Sequence, residues 1–199
     1  MGFVHLHVHS QYSLLDGMCI VGEDKKHNDK MMDLLHELGQ DAIAITDHGN
    51  MYSAIKFYKS AKSHGIKPIL GCEVYVAPRS RFQKTRELDA SYAHLVLLCE
   101  NNQGYQNLIK IVSKSNLEGF YYKPRVDHEL LTQYHEGLIC LSACLGGEIP
   151  QLLLNGQYEE AKKLALWYEG VFGKDRYYLE VQDHGLPEQK PVIDGLLRI

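Results

Sequence analysis

Three histidines on alternate residues near the start of the chain form the first group that could do chemistry. The segment HLHVHSQYSLLDG places His5, His7 and His9 on one face of a predicted strand. Neighbours on that face lie roughly 6.6 Å apart, so only the two nearest the strand end can bend toward one ion. We therefore predict that His7 and His9 bind metal while His5 packs deeper in the fold. The alternative is an edge strand with a solvated histidine face.

Metal-capable side chains also end other predicted strands. AIAITDHG ends on Asp47 and His48, and LICLSACLGG runs out into Cys144. Glu73 lies two residues beyond Gly71 on the same face, where the missing side chain is expected to leave room for a ligand. In (β/α) barrels such side chains meet at the C-terminal strand ends. Imidazole, carboxylate and thiolate suit zinc, and manganese or iron accept the first two. This many donors predicts a multinuclear site for phosphate ester hydrolysis.

Short apolar segments alternate with helical patterns along the chain. The predicted strands cover residues 3–8, 42–46, 68–77, 94–99, 138–142 and 177–182. Helical spacing occurs at 31–38, 54–61 and 108–112, followed by a helix pair hinged at Asn155 and Gly156. Almost continuous apolar strands between helices predict an α/β fold with a parallel sheet, and six such units suit a barrel. We predict one domain over residues 1–199, ending inside a helix without a stop signal, so the barrel is expected to be incomplete.

Composition limits the location of the protein and little else. The formal net charge of −4 provides no general attraction to nucleic acid, so such contacts require a local patch. Five cysteines without a Cys-x-x-Cys pair or an apolar leader favour a reducing compartment. No apolar run approaches the roughly 18 residues of a membrane span. We predict a cytoplasmic protein with no membrane contact.

Six segments in order along the chain closely resemble the polymerase and histidinol phosphatase (PHP) domain family, in the branch found in the alpha subunit of bacterial DNA polymerase III. These segments are HLHVHSQYSLLDG, AIAITDHGN, GIKPILGCEVYVAP, NLEGFYYKPR, LICLSACLGGEIP and VQDHGLPEQ. The resemblance covers essentially the whole chain. It implies a distorted (β/α)7 TIM-like barrel of the PHP type, incomplete here at its C-terminus. It also implies two or three divalent metal ions, zinc or manganese, with magnesium or iron as alternatives.

The resemblance also implies a set of metal ligands. Carried over position by position, these ligands are His7, His9, Asp16, His48, Glu73, His94 and Cys144. Asp16 and His94 come from the resemblance alone, and His94 opens its predicted strand instead of ending it. The family completes its site with an Asp-x-His pair on a later strand, which this sequence lacks. At least one metal position is therefore expected to lack ligands. VQDHG imitates TDHG, so Asp183 and His184 are further candidates from strand-end position.

Charged residues near the predicted barrel mouth are candidates for substrate contact. Arg79, Arg81, Lys123 and Arg125 are predicted to bind nucleic-acid phosphates. The alternative is that they belong to solvated loops. Asp47 and Arg125 are predicted to assist catalysis, Asp47 by orienting a neighbouring ligand.

The activity implied by the resemblance is metal-dependent phosphodiester hydrolysis by a metal-bridged hydroxide, in a 3′–5′ exonuclease of the proofreading type. The implied partners are DNA, the remainder of the polymerase alpha subunit, and replisome subunits such as the sliding clamp and a proofreading subunit. The polymerase site itself is not expected in this chain. Two alternatives remain open. One is a free-standing phosphatase acting on a small phosphomonoester, and the other is a non-catalytic, metal-stabilised scaffold that docks polymerase partners.

Overall fold

The computed structural model describes residues 2–22 and 29–199. Its strands are β1 (Ala42–Ile45), β2 (Lys67–Val76), β3 (Ala93–Cys99), β4 (Arg125–Val126), β5 (Leu138–Leu141) and β6 (Tyr177–Tyr178). Its helices are α1 (Lys30–Glu37), α2 (Ala54–Ser63), α3 (Arg86–Asp89), α4 (Asn102–Leu117), α5 (His128–Tyr134), α6 (Glu148–Leu154), α7 (Tyr158–Phe172) and α8 (Gln189–Leu196). The predicted α/β class is confirmed. In the part of the chain that is described, no helix is long and apolar enough to cross a membrane.

The sheet is mixed, which corrects the prediction of a parallel sheet. Its strands follow the order β1-β2-β3-β5-β6, and β4 pairs with β2 off this path. β3 runs antiparallel to both β2 and β5, whereas the pairings β1–β2, β2–β4 and β5–β6 are parallel. β3 is therefore reversed relative to the strands on either side of it, and its first residue lies at the edge where those strands end.

Both faces of the central strands are buried, which is why their sequences read as continuous apolar runs. On β3, Val96 and Leu98 pack with Ala44 of β1 inside the curved sheet. Leu95 and Leu97 point the other way and pack among the residues of α4, α5 and α7. Gly71 does not leave room for a ligand, which corrects the prediction. A Cβ atom there would lie 2.6 Å from the Leu97 carbonyl oxygen and 2.8 Å from Leu98 Cδ2, so glycine permits close strand packing.

The strands predicted at the two outer edges of the sheet pair over fewer residues than expected. Residues 3–8 run beside β1 as an extended segment with a bridge between His5 and Ile43, and Thr46 N donates to Val8 O at 2.8 Å. At the other edge, β6 pairs over just Tyr177 and Tyr178. An open groove of about 720 Å³ separates these edges. His5 is exposed along this groove and contacts the Phe3 ring, which corrects its predicted place deeper in the fold.

Helix ends follow local sequence signals. Asn101 caps α4 by accepting from Gly104 N, and Asp127 caps α5 by accepting from Leu130 N. The hinge between α6 and α7 lies at Asn155 and Gly156, as predicted, and Gly156 has a φ of 72°.

Candidate metal centre

One edge of the sheet gathers the predicted donor residues. His48 follows β1 and forms a parallel bridge with Glu73 of β2. His94 is the second residue of β3, and because that strand is antiparallel its start lies beside Tyr75 of β2. A further bridge joins His94 to Gly147, in the loop after β5 that carries Cys144. The reversed strand thus brings His94 to the edge where strand-end reasoning placed the other donors.

Glu73 is the centre of the donor cluster, with a side chain that is 1% exposed. Its Oε2 lies 2.9 Å from His48 Nδ1 and 3.1 Å from His9 Nε2. The same oxygen lies 3.3 Å from His7 Nε2, and Oε1 lies 2.9 Å from His94 Nδ1. A single buried carboxylate therefore contacts four imidazoles from three separate segments of the chain.

A tight loop brings Asp16 back to this cluster. Asp16 Oδ2 lies 2.6 Å from His48 Nε2. The loop closes through the bonds from Asp16 N and Gly17 N to Ser13 O. Gly17 is required there, because a Cβ atom would lie 1.8 Å from the Ser10 carbonyl oxygen. Such a loop has no strand or helix periodicity, so spacing alone could not have found Asp16.

Cys144 completes the cluster from the loop after β5. Its Sγ lies 3.6 Å from His94 Nδ1 and 3.9 Å from Glu73 Oε1. Gly147 N donates to the Cys144 carbonyl oxygen at 2.9 Å, and Gly146 N lies 3.4 Å from Sγ. The glycines of LGG therefore fold the backbone around the thiol and hold it beside His94.

Asp47 lies behind the cluster and does not face it. Its side chain is buried and accepts hydrogen bonds from Ser10 N at 2.7 Å and from the hydroxyls of Ser10, Ser13 and Ser53. Ser13 Oγ in turn lies 3.1 Å from His9 Nδ1. Asp47 thus fixes the loop that carries His9, which is consistent with an orienting role and leaves no free oxygen for substrate.

Burial and charge act in opposite directions on these side chains. Burial lowers the pKa of His7, but the hydrogen bond to Glu180, the close contact with Glu73 and the negative charges of both outweigh it and raise the pKa to about 10. Burial likewise lowers the pKa of His94, whereas hydrogen bonds to Cys144 and Glu73 raise it to about 9. Burial raises the pKa of Glu73, and its histidine partners hold it far below its usual range. Without metal, the surroundings of His7 and His94 therefore favour the protonated forms of these two imidazoles.

The donor atoms fit divalent cations. His48 Nδ1 and Glu73 Oε2 are buried 2.9 Å apart, yet within the described residues neither makes a hydrogen bond of acceptable geometry. A shared cation would satisfy both atoms. Three sets of residues each bring their donor atoms within 4.8 Å of one another, and we call them donor groups. They are His7–His9–Glu73, His9–Asp16–His48 and His48–Glu73–His94. Imidazole, carboxylate and thiolate donors suit zinc, and manganese or iron accept the first two.

The predicted arginines do not face this centre. Arg79 forms a two-pronged ion pair with Asp89, at 2.9 and 2.7 Å. Arg81 is buried and pairs with Asp127 and Glu118 at 2.9 and 2.8 Å. Their guanidinium groups are engaged in holding the loop after β2. The predicted phosphate contacts by these two arginines are therefore not supported by their placement.

Arg125 is 0% exposed, which corrects its predicted catalytic and substrate-binding roles. Its guanidinium donates to the carbonyl oxygens of Gly119 at 3.1 Å and Asp89 at 2.8 Å. It also donates to those of Arg81 at 3.3 Å and Gln83 at 2.9 Å. Arg125 thus satisfies four carbonyl groups and cannot reach a substrate at the sheet edge.

Replacing Arg125 by methionine is expected to cost about 3 kcal/mol or more of the free energy of unfolding, because four carbonyl groups lose their donor. Urea denaturation measures the loss. The matched control is Arg86→Met on the exposed surface of α3, which is expected to change stability by less than about 0.5 kcal/mol. A stable Arg125→Met protein with reduced DNA binding would restore the substrate-binding role.

Lys123 is the predicted phosphate-binding residue that lies beside the centre. Its Nζ lies 5.3 Å from the centroid of the Tyr75 ring. That ring is 5.8 Å from the His48 ring and 5.5 Å from the His94 ring. Among the described residues, no carboxylate pairs with Lys123 within 4 Å. The neighbouring Tyr122 is exposed and has a φ of 60°, a left-handed backbone conformation in the loop before β4.

Sequence reasoning missed Glu180. Its Oε1 lies 2.8 Å from His7 Nδ1, across the groove between the two sheet edges. Glu180 lies in the predicted strand 177–182, and its position near a strand end was the available signal. The weaker candidates Asp183 and His184 line the groove and belong to none of the described donor groups. Asp183 instead accepts from Gly185 N.

A curved α/β sheet with a donor cluster at one edge is the architecture that the sequence motifs indicated. A profile of the PHP domain family matches residues 5–184. The chain belongs to the PHP domain family.

The similar curated proteins are large polymerase subunits. The DNA polymerase III subunit alpha of Treponema pallidum is 50% identical over 200 residues, which cover 100% of this chain and 16% of that protein. The DNA polymerase III subunit alpha of Thermus aquaticus is 47% identical over 197 residues, which cover 96% of this chain and 15% of that protein. The predicted resemblance to the PHP domain of this subunit is confirmed, and the chain spans a small part of its relatives.

A solved structure supports the fold. A protein from Bifidobacterium adolescentis, described as a metal-dependent phosphoesterase, superposes with a TM-score of 0.55 at 12% sequence identity. The superposition covers 98% of this chain and 83% of that chain. At this level of identity the likeness concerns the fold alone. It confirms the predicted PHP-type, TIM-like α/β architecture.

Proposed function

We propose that this domain is a metal-dependent phosphodiester hydrolase that removes nucleotides from DNA 3′ ends, as a part of a DNA polymerase III alpha subunit. The observation that carries the proposal is the convergence of four imidazoles on the buried carboxylate of Glu73, with Asp16 and Cys144 at hand. Such a donor set would hold divalent cations at the edge of the sheet. A DNA 3′ end could reach them there from solvent.

The proposed reaction is balanced by one water molecule. Water adds to the terminal phosphorus, the P–O3′ bond breaks, and a nucleoside 5′-monophosphate leaves a new 3′ hydroxyl. Divalent cations bound at the centre supply Lewis acidity and lower the pKa of water. Glu73 and its histidines hold these cations, and Asp47 fixes the loop of His9 through Ser13. Lys123 is proposed to contact a phosphate, with Tyr122 available for base stacking.

The relatives suggest the setting of this activity. Proteins 50% and 47% identical to the chain are alpha subunits of DNA polymerase III. The proposed partners are therefore DNA and the remainder of the alpha subunit, with the sliding clamp and a proofreading subunit as further candidates. The proposed location is the cytoplasm, with the replication machinery. A proofreading role requires the exonuclease centre to receive 3′ ends from a polymerase site on the same subunit.

The test compares hydrolysis of single-stranded DNA labelled at its 5′ end with hydrolysis of a small phosphomonoester. Both the 199-residue chain and the full-length Treponema pallidum relative are loaded with zinc or manganese. The proposal expects stepwise 3′ shortening that chelation stops and that His48→Ala lowers by more than about 100-fold. The control is His5→Ala, in the same motif but outside the described donor groups, which is expected to keep the activity.

Two outcomes would contradict the proposal in different ways. Faster turnover of the phosphomonoester than of DNA would favour a small-molecule phosphatase. Bound metal that raises the melting temperature, without hydrolysis of either substrate in either protein, would favour the non-catalytic scaffold.

A further inference from the structure

The contact between His7 and Glu180 joins two distant parts of the chain across the open groove. His7 lies on the extended segment beside β1, and Glu180 follows β6 at the other edge of the sheet. The His7 side chain is 12% exposed and the Glu180 side chain is 14% exposed, so both are largely shielded from water. Because little water screens the Glu180 charge, the 2.8 Å hydrogen bond between these side chains is a strong, charge-assisted one.

The two ring nitrogens of His7 face different partners. Nε2 points to the donor cluster, 3.3 Å from Glu73 Oε2, while Nδ1 points away from it to Glu180 Oε1. A proton on Nδ1 that is donated to Glu180 leaves the lone pair of Nε2 free for a cation. Histidines that bind metals commonly donate their other ring N–H to a carboxylate, which fixes the tautomer and the ring orientation.

The neighbouring ligand shows the same arrangement by a different route. His9 Nε2 faces Glu73, and its Nδ1 lies 3.1 Å from Ser13 Oγ, which donates to Asp47. Each histidine of the predicted pair thus has a second carboxylate behind it. Asp47 acts through a serine, whereas Glu180 acts directly.

Glu180 is itself held in place. Its backbone N donates to Ser142 Oγ at 2.8 Å, and Gln182 Nε2 donates to its Oε1 at 2.6 Å. Its Oε2 is buried without a hydrogen-bond partner among the described residues. Burying this oxygen without a hydrogen bond costs free energy. A residue that only closed the sheet edges would not need a charged group here, whereas a residue that polarises His7 needs the negative charge.

We propose that Glu180 is a positioning residue for the metal centre, which orients His7 and keeps its Nε2 available to a cation. The inference rests on the proposed metal centre and extends it across the groove to the segment after β6. The segment after β6 thereby acquires a role in the metal centre, because Glu180 orients His7 from the opposite edge of the sheet.

The test measures zinc affinity by competition with a chromophoric chelator, together with the visible spectrum of the cobalt-substituted protein. Glu180→Leu is expected to weaken zinc binding by about 10- to 100-fold. Glu180→Gln, which keeps an acceptor oxygen but no charge, is expected to fall between Glu180→Leu and the unmodified protein. The cobalt spectrum is expected to change in Glu180→Leu because the ring of His7 is no longer fixed. Glu188→Leu is the matched control, because it makes the same substitution at an exposed position just before α8 and outside the described donor groups. It is expected to keep the affinity within a few-fold.

A double variant decides whether Glu180 acts through His7. In the His7→Ala background, Glu180→Leu is expected to have no further effect on zinc affinity. An equal loss in both backgrounds, or unchanged affinity and spectrum in Glu180→Leu, would overturn the inference. Melting of the metal-free proteins by circular dichroism verifies that each variant is folded.

The outcomes also separate this inference from the proposed function. Zinc binding that depends on Glu180 through His7, without hydrolysis of DNA, would support the positioning role while the nuclease proposal fails. Hydrolysis of DNA with zinc affinity indifferent to Glu180 would do the reverse.

Discussion

Replacing Glu73 by glutamine is expected to weaken zinc binding by more than about 100-fold and to prevent the domain from retaining any ion after gel filtration. Among the described residues, Glu73 is the carboxylate shared by His7, His9, His48 and His94. Loss of a residue that merely supports a metal ligand already costs about 10- to 100-fold in affinity. Loss of the shared carboxylate removes both a ligand and the negative charge that balances the cations.

Elemental analysis and chelator competition measure this effect. Glu148→Gln is the matched control, because Glu148 is another shielded carboxylate that pairs with a histidine, at 3.0 Å from His128 Nε2, and belongs to none of the described donor groups. The control is expected to keep its zinc affinity even where its stability falls. Full zinc content in Glu73→Gln would show that the cluster is not the metal site.

Strand-end reasoning found most of the cluster from sequence because β1, β2 and β5 run in the same direction. Their last residues meet at one edge, so His48, Glu73 and Cys144 lie together as expected. His94 follows the same logic in reverse, since β3 runs antiparallel. An apolar strand buried on both faces carries no sign of its direction, so neither the direction nor the place of His94 could be inferred from spacing.

The errors on the charged residues have a different physical origin. Arg81 and Arg125 lie in loops or short strands, where sequence alone suggests solvent and phosphate contact. The carboxylates that pair with Arg81 lie 37 and 46 residues away, and the Asp89 carbonyl that accepts from Arg125 lies 36 residues away, so only the folded chain brings these acceptors together. Glu180 illustrates the same limit, because its relation to His7 spans 173 residues. Pair contacts across the fold are not encoded in any local pattern.

The affinity of the centre for metal is expected to rise steeply with pH. The pKa values of His7 and His94 are raised from 6.5 to about 10 and about 9, so without metal both are protonated near neutral pH. A cation requires neutral imidazoles and therefore displaces these protons. Below the pKa of the histidine, each displaced proton makes the metal affinity rise about tenfold per pH unit. Two displaced protons therefore make it rise by up to about 100-fold per pH unit.

The stability of the metal-free protein is expected to change in the opposite direction. Because the folded pKa values lie above the ordinary value of 6.5, the contacts of His7 with Glu180 and Glu73, and of His94 with Cys144 and Glu73, stabilise the fold fully below pH 6.5. That contribution is lost as the pH rises through about 9 and about 10. The difference in melting temperature between metal-loaded and chelated protein should therefore widen from neutral to alkaline pH.

Calorimetric titrations in buffers of different ionisation enthalpy measure directly the protons that are released when metal binds. His7→Gln, which has one fewer proton to release, is expected to show a shallower pH dependence. Metal binding without proton release near neutral pH would mean that the imidazoles of His7 and His94 are already neutral, and that their neighbours do not hold them in the charged state.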